Sequence, residues 1–195
     1  LITGGTGFLG SNLTKHLIKL KKIQKIYCVD NLVTGNLKNT KDLELNKKFE
    51  FINHDIRNFI KLDIEYIFNL ACPASPPKYQ KDPFLTLDTC YTGTKNILEL
   101  AKLKKATVFH ASTSEIYGDP KVNPQLEEYF GNTNCFGPRS CYDEGKRIAE
   151  TLIFEFQKKY NLNVRIGRIF NTYGPLMDQN DGRVISNFIN QAINN

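Results

Sequence analysis

The chain has 195 residues, with 26 Lys+Arg against 20 Asp+Glu for a net charge of +6, and 41% of its residues are hydrophobic. Those proportions argue against disorder, collagen-like repeats and coiled coil, and apolar runs such as Tyr66–Leu70 fall far short of the ~20 residues a membrane span needs. The positive surplus is not gathered into a patch, so nucleic acid is not the expected partner, and five Cys and three His scattered without ligand spacing predict reduced thiols and no metal site.

Short apolar runs alternate with longer segments of helical period. Leu1–Thr3 reads as the end of a strand, followed by a Gly-rich turn and a helix from about Phe8 to Lys21, with Leu9, Leu13, Leu17 and Leu20 on one face. Strands are predicted at Ile26–Asp30, Phe49–Asn53 and Tyr66–Leu70, then a helix over about Pro83–Leu103 with Pro83 in its first turn. A fifth strand at Val108–Ser112, a long helix at Tyr142–Tyr160, a sixth strand at Val164–Ile169 and an amphipathic helix at Val184–Ile193 complete the series. Strands separated by helices imply right-handed crossovers, hence an α/β fold with a doubly wound parallel sheet. The expected division is a dinucleotide-binding domain over 1–175 and the start of a truncated substrate-binding domain over 176–195.

Gly4, Gly7 and Gly10 are spaced G-x-x-G-x-x-G between a strand and a helix. Glycines there permit a tight turn and close approach of backbone to a pyrophosphate, which the free N–H groups and dipole of the helix N-terminus favour. Asp30 ends the second strand 20 residues after Gly10, where a carboxylate accepts from an adenosine ribose and repels a 2′-phosphate. The cofactor expected is therefore NAD rather than NADP; the plain alternative is a strand–turn–helix with Asp30 as a cap.

Tyr142 and Lys146 stand four apart at the start of a helix and so share a face. A Lys ammonium beside a phenol is expected to lower the Tyr pKa from ~10 toward the range of a general base. Ser112, Thr113, Ser114 and Glu115 follow at the C-terminal end of strand five, where open α/β sheets bind ligands. Alone, the Tyr/Lys pair reads as surface residues and the Ser/Thr run as a turn cap. Together with a dinucleotide turn they read as a reaction site.

These residues resemble the extended short-chain dehydrogenase/reductases, and most closely the UDP-glucuronic acid decarboxylase (UDP-xylose synthase) family. The resemblance runs through Thr3–Gly10 (TGGTGFLG), Val29–Gly35 (VDNLVTG), Asn53–Ile56 (NHDI), Asn69–Pro77 (NLACPASPP) and Ser112–Pro120 (STSEIYGDP). Gly137–Arg147 (GPRSCYDEGKR), Arg168–Pro175 (RIFNTYGP) and Asp181–Phe188 (DGRVISNF) are the most family-specific stretches. It implies NAD contacts from Gly7, Phe8 and Leu9 at the pyrophosphate, Asp30, Asn31, Thr34 and Gly35 at the adenosine ribose, and Asp55 and Ile56 at the adenine. Leu70 and Thr172 would also line the cofactor site, and Asn96, Asn171 and Arg183 would hold UDP-glucuronate.

The same resemblance implies Tyr142 as base, Lys146 as its tuner and nicotinamide-ribose ligand, Thr113 as orienter of the sugar hydroxyl, and Ser114 and Glu115 in later steps. The expected reaction oxidises C4, loses CO₂ from C5 and returns hydride to give UDP-xylose. Related 4,6-dehydratases carry Asp-Glu where this chain has Ser114-Glu115, and 4-epimerases usually lack that Glu; both remain alternatives, as does a non-catalytic NAD-binding fragment. A homodimer through the helices after strands four and five is expected, in the cytoplasm, or in the Golgi lumen if an anchor precedes Leu1. Cys90 stands where the family usually has Asn, Leu176 where it often has Arg, and Cys135-Phe136 where it usually has Pro-Ile; the first is expected to weaken a cofactor contact and the second a contact to an anionic group, and neither to touch the Tyr/Lys pair.

Overall fold

The computed structural model describes residues 1–194. Six parallel strands form one sheet in the order β3-β2-β1-β4-β5-β6: β1 Ile2–Thr3, β2 Ile26–Asp30, β3 Phe49–Asn53, β4 Tyr66–Asn69, β5 Thr107–Thr113 and β6 Val164–Ile169. The chain order reverses between β1 and β4, so the carboxyl ends of these strands open a crevice at the centre of the sheet. The α/β doubly wound prediction holds, with strand ends within a residue of those expected.

Each face of the sheet carries its own apolar layer. Ile2, Ile18, Ile26, Cys28, Leu43 and Phe49 pack on one face beneath α1 (Phe8–Leu17). On the other, Val29, Ile67 and Val108 meet Ile97, Leu98 and Ala101 of α4 (Thr94–Lys104) and Ile153 and Phe156 of α5 (Ser140–Tyr160). Strands buried on both faces have no alternation to lose, which is why their sequences read as nearly continuous apolar runs.

The helices differ from expectation in informative ways. α1 stops at Leu17 rather than Lys21, because the next turns tighten: Lys19 N–H bonds His16 O, and Leu20 N–H bonds Leu17 O. The helix expected over Pro83–Leu103 is interrupted. α3 (Pro83–Asp88), capped by Asp82 accepting from Leu85 N–H, gives way to a π-turn at Thr89–Gly93 before α4. The wide turn buries Thr89, Cys90 and Gly93, and a Cβ on Gly93 would stand 2.7 Å from Ile56 Cδ1. A short α2 (Pro76–Tyr79) and 3₁₀ turns at Leu37–Leu43 and Ser114–Tyr117 were not anticipated; each is too short to carry a period.

α6 (Val184–Asn194) forms as expected, with Val184, Phe188, Ile189 and Ile193 exposed. The second domain expected over 176–195 ends on Asn195, which lies outside the described residues. Among the described residues no helix is long and apolar enough to cross a membrane.

Candidate active site

The crevice is a cavity of about 910 Å³ at the carboxyl ends of the strands. The glycine turn forms its floor. Gly4 has φ +65°, and a Cβ on Gly10 would lie 2.2 Å from Gly4 O, so α1 begins directly against the turn. Ser11 and Thr14 direct their hydroxyls back onto Gly7 O and Gly10 O, and the N–H groups of the first turn of α1, which lines the cavity at Phe8, Leu9 and Gly10, have no acceptor within the helix. At the end of β2 the buried Asp30 carboxylate accepts from Thr6 N–H at 3.1 Å and Leu32 N–H at 2.9 Å, which fixes it in the cavity wall with lone pairs to spare. A Cβ on Gly35 would come within 2.8 Å of both Asp30 oxygens, so that glycine keeps the carboxylate approachable.

Asn31, Thr34, Asp55 and Ile56 extend the same wall. Burial works against ionisation of Asp55, but Arg57 and the Asn31 amide, bonded to it at 2.8 and 2.9 Å, bring its pKa down to about 2. Asn96 is a correction. It does not line the cavity; its amide donates to Ile56 O and Arg57 O, so it braces this wall from behind.

The opposite end of the cavity holds Thr113, Ser114, Glu115, Tyr142 and Lys146. α5 presents Tyr142 and Lys146 on one face, both buried, with the Lys146 ammonium donating to Ala111 O at 2.9 Å and lying 5.8 Å from the Tyr142 ring centroid. Tyr79 of α2 stacks on Tyr142 with ring centroids 4.8 Å apart and planes within 6°. The expected lowering of the Tyr142 pKa does not hold for the protein by itself. Burial pushes the phenol up to about 12, and Lys146 and the Thr113 hydroxyl act in the expected direction without offsetting it. Burial also opposes the charge on Lys146, yet the facing Cys72 and Tyr142 hold its pKa above the usual lysine value.

Two further expectations gain detail. Glu115 and Arg183 line the cavity, but neither is a free charge: Arg139 pairs with Glu115, and Arg183 forks onto Asp181. Among the described residues Cys90 makes no direct contact with Tyr142 or Lys146, but it packs beside them. Its sulfur lies 3.4 Å from that of Cys72 in the cavity wall, and a Cβ on Gly145 of α5 would be 3.1 Å from it. Asn171, Thr172 and Leu176 line the cavity as a group after β6, and Leu70 sits at its centre after β4.

One element of the site escaped sequence reasoning. Thr3, Asn69 and His110 are register partners on β1, β4 and β5. The Thr3 hydroxyl donates to Asn69 Oδ1 at 2.7 Å and accepts from Leu70 and Ala71 N–H, while Asn69 Nδ2 meets His110 Nδ1 at 3.1 Å. These bonds tie the ends of β1 and β4 to the middle of β5. Burial, with Lys146 nearby, lowers the His110 pKa to about 3, so the ring is neutral. Three polar residues within apolar strands, Thr3 and Asn69 at the ends of β1 and β4 and His110 midway along β5, were the available signal.

Comparison with known proteins places this geometry. Residues 1–195 match the GDP-mannose 4,6 dehydratase family. The chain belongs to that family. It is 50% identical over 193 residues to UDP-glucuronic acid decarboxylase 1 of Xenopus tropicalis, covering 99% of this chain and 45% of the relative. It is 49% identical to UDP-glucuronic acid decarboxylase 6 of Arabidopsis thaliana, covering 99% and 56%. The chain thus spans about half the length of the curated relatives it matches. Two solved structures extend the likeness within the dehydratase-type fold. A dTDP-glucose 4,6-dehydratase from Streptomyces venezuelae with NAD bound superposes with TM-score 0.87 at 23% identity, over 99% of this chain and 61% of that one; at that identity it bears on fold alone. A UDP-N-acetylglucosamine 4-epimerase from Methanobrevibacter ruminantium has TM-score 0.86 at 28% identity, over 99% and 62%.

Proposed function

We propose that the protein containing this chain binds NAD in the cavity and decarboxylates UDP-glucuronate to UDP-xylose. The observation that carries the proposal is the sharing of one cavity by the glycine turn with Asp30 and, at its other end, by Thr113, Tyr142 and Lys146. The cradle suits a dinucleotide: Gly4 and Gly10 have no space for a Cβ, and Asp30 offers acceptors where a ribose would lie. Gly7, Phe8 and Leu9 would hold the pyrophosphate, Asp30, Asn31, Thr34 and Gly35 the ribose, and Asp55 and Ile56 the adenine. Bound there, NAD supplies the hydride acceptor and donor.

Tyr142 Oη takes the proton of the sugar's C4 hydroxyl, and Thr113 orients that hydroxyl. Lys146, held by Ala111 O, favours the phenolate once a bound ligand adds to its effect. With a ketone at C4, the C5 carboxylate is β to a carbonyl and leaves as CO₂; nearby donors stabilise the enolate. Ser114 favours this outcome over dehydration, because a serine hydroxyl is a poor acid for expelling water. Asn171 is assigned to the sugar nucleotide, and Arg183 joins it only after exchanging Asp181 for the substrate's negative charge.

Residues 1–175 serve as the NAD-binding domain, and those from 176 on begin the substrate-binding part. A homodimer through α3, α4 and α5 fits the exposure of Phe84, Leu103 and Phe154 on these helices and of Tyr91 on the π-turn between the first two. The cytoplasm is the compartment that suits five free cysteines. Incubation of the full-length protein with UDP-glucuronate and NAD⁺, followed by mass spectrometry, tests the reaction. UDP-xylose with an equal amount of CO₂ is expected, a 4-keto-6-deoxy product would favour dehydration, and an unchanged sugar would refute both.

A further inference from the structure

Two thiols from different elements meet beside the Tyr142/Lys146 pair. Cys72 follows β4 and lines the cavity; Cys90, on the π-turn between α3 and α4, is buried immediately behind it. Their sulfurs are 3.4 Å apart, so a covalent bond requires a closure of little more than an ångström. The Lys146 ammonium acts on both as a positive charge that favours the thiolate. We propose that Cys72 and Cys90 are a modification site, a dithiol that hydrogen peroxide converts to a reversible disulfide in the cavity wall.

The roles of the two sulfurs differ. The hydrogen bond shared with Cys90, together with the Lys146 charge, brings the Cys72 pKa down to about 7 against the pull of burial. The same contact holds the Cys90 thiol far above its usual value, so Cys72 is the nucleophile and Cys90 the resolving thiol. The Cys72 thiolate attacks one peroxide oxygen; the O–O bond breaks, and hydroxide leaves and is protonated to water. Cys90, giving up its proton, then attacks the sulfenic sulfur of Cys72; the S–O bond breaks and a second water leaves. Two thiols lose two electrons and two protons, and one peroxide becomes two waters. A dithiol reductant reverses the exchange.

The other cysteines are placed differently. Cys28 lies in the sheet core, where burial and Asp30 push its thiol up to about 12, and Cys135 is exposed with no sulfur partner among the described residues. The disulfide would replace an ionisable thiol beside Lys146 with a neutral cross-link between the β4 exit and the helix behind it. Neither the substrate nor the reaction proposed above enters this expectation, since its readout is a covalent bond.

The test is to treat the reduced, purified protein with one to a few equivalents of peroxide and map it after tryptic digestion. Residues 62–78 and 82–95 are tryptic peptides with one cysteine each. The expected result is a loss of two hydrogens and a link between these two peptides that dithiothreitol removes. In Cys90→Ser the link is absent and a dimedone adduct accumulates on Cys72. A Cys135→Ser variant keeps the link and guards against misfolding of the first variant. Absence of the 62–78/82–95 link in the oxidised parent, or a link from Cys72 to Cys141 in its place, would overturn the proposal.

Discussion

Replacing Gly10 by Ala places a methyl group where the phosphate-binding turn has no space. The new Cβ would stand 2.2 Å from the Gly4 carbonyl oxygen and 2.7 Å from the Gly5 Cα. Both partners are backbone, so neither swings aside, and an ordinary contact requires α1 and the turn to separate by roughly 1 Å. Overpacking of that kind costs about 1–3 kcal/mol, which for a domain of this size lowers Tm by about 3–10 °C. The same movement carries the first-turn N–H groups away from the cavity floor, and a loss of about 1.4 kcal/mol there raises the Kd for NAD⁺ about tenfold. Gly7→Ala is the control: its Cβ meets only Gly4 O at 3.2 Å, so its Tm stays within about 2 °C of the parent. Scanning calorimetry and titration calorimetry with NAD⁺ on the three proteins provide both numbers. An unchanged Tm for Gly10→Ala would refute the reasoning, because the clash exists with or without ligand.

Tyr142→Phe is expected to reduce turnover of UDP-glucuronate by about 10²–10⁴-fold while NAD⁺ affinity stays within about threefold; loss of both in the same titration would make the residue structural. Burial, opposed by Arg139 and reinforced by Glu115, lifts the Asp143 pKa to about 6. A carboxyl whose folded pKa lies above its unfolded ~3.9 binds more proton when folded, so its ionisation removes stability as pH climbs from about 4 to about 6. Asp143→Asn should therefore raise Tm by a few degrees at about pH 8 and by nothing measurable at about pH 3.5, as read by thermal melts at the two values. Asp30→Ala leaves Thr6 and Leu32 N–H groups without their acceptor, at about 1–3 kcal/mol of stability. It should also narrow the preference for NAD⁺ over NADP⁺; parallel titrations with the two cofactors that give the parent's ratio would contradict the assignment.

Much of this architecture was legible because the sheet is buried on both faces and its strands announce themselves as apolar runs bounded by turns. The glycine spacing, Asp30 and the Tyr142/Lys146 pair carry local chemistry that survives without knowledge of the fold. What escaped depends on contacts across elements. The ionisation of Tyr142 is set by how deeply α5 is packed, which no spacing reports. The ion pairs that occupy Glu115 and Arg183 depend on where two loops come to rest. Asn96 has a plausible polar side chain in a plausible helix, but the π-turn ahead of it and its reach to Ile56 O and Arg57 O turn it toward the loop. Cys90 looked like an isolated departure from a family pattern, and only the proximity of β4's exit makes it half of a pair.

The π-turn at Thr89–Gly93 also bears on which changes of length this helix can absorb. A π-turn holds one residue more than the α-turn it replaces, so the surplus is confined there and α3 and α4 keep their faces toward the core. Deleting one residue inside 89–93 would return the segment to plain α-geometry with Ile97, Leu98 and Ala101 still directed inward. Deleting one within α4 itself would turn the positions beyond it by 100° and carry apolar side chains out of the core. Variation in length along this helix should therefore collect in that single turn.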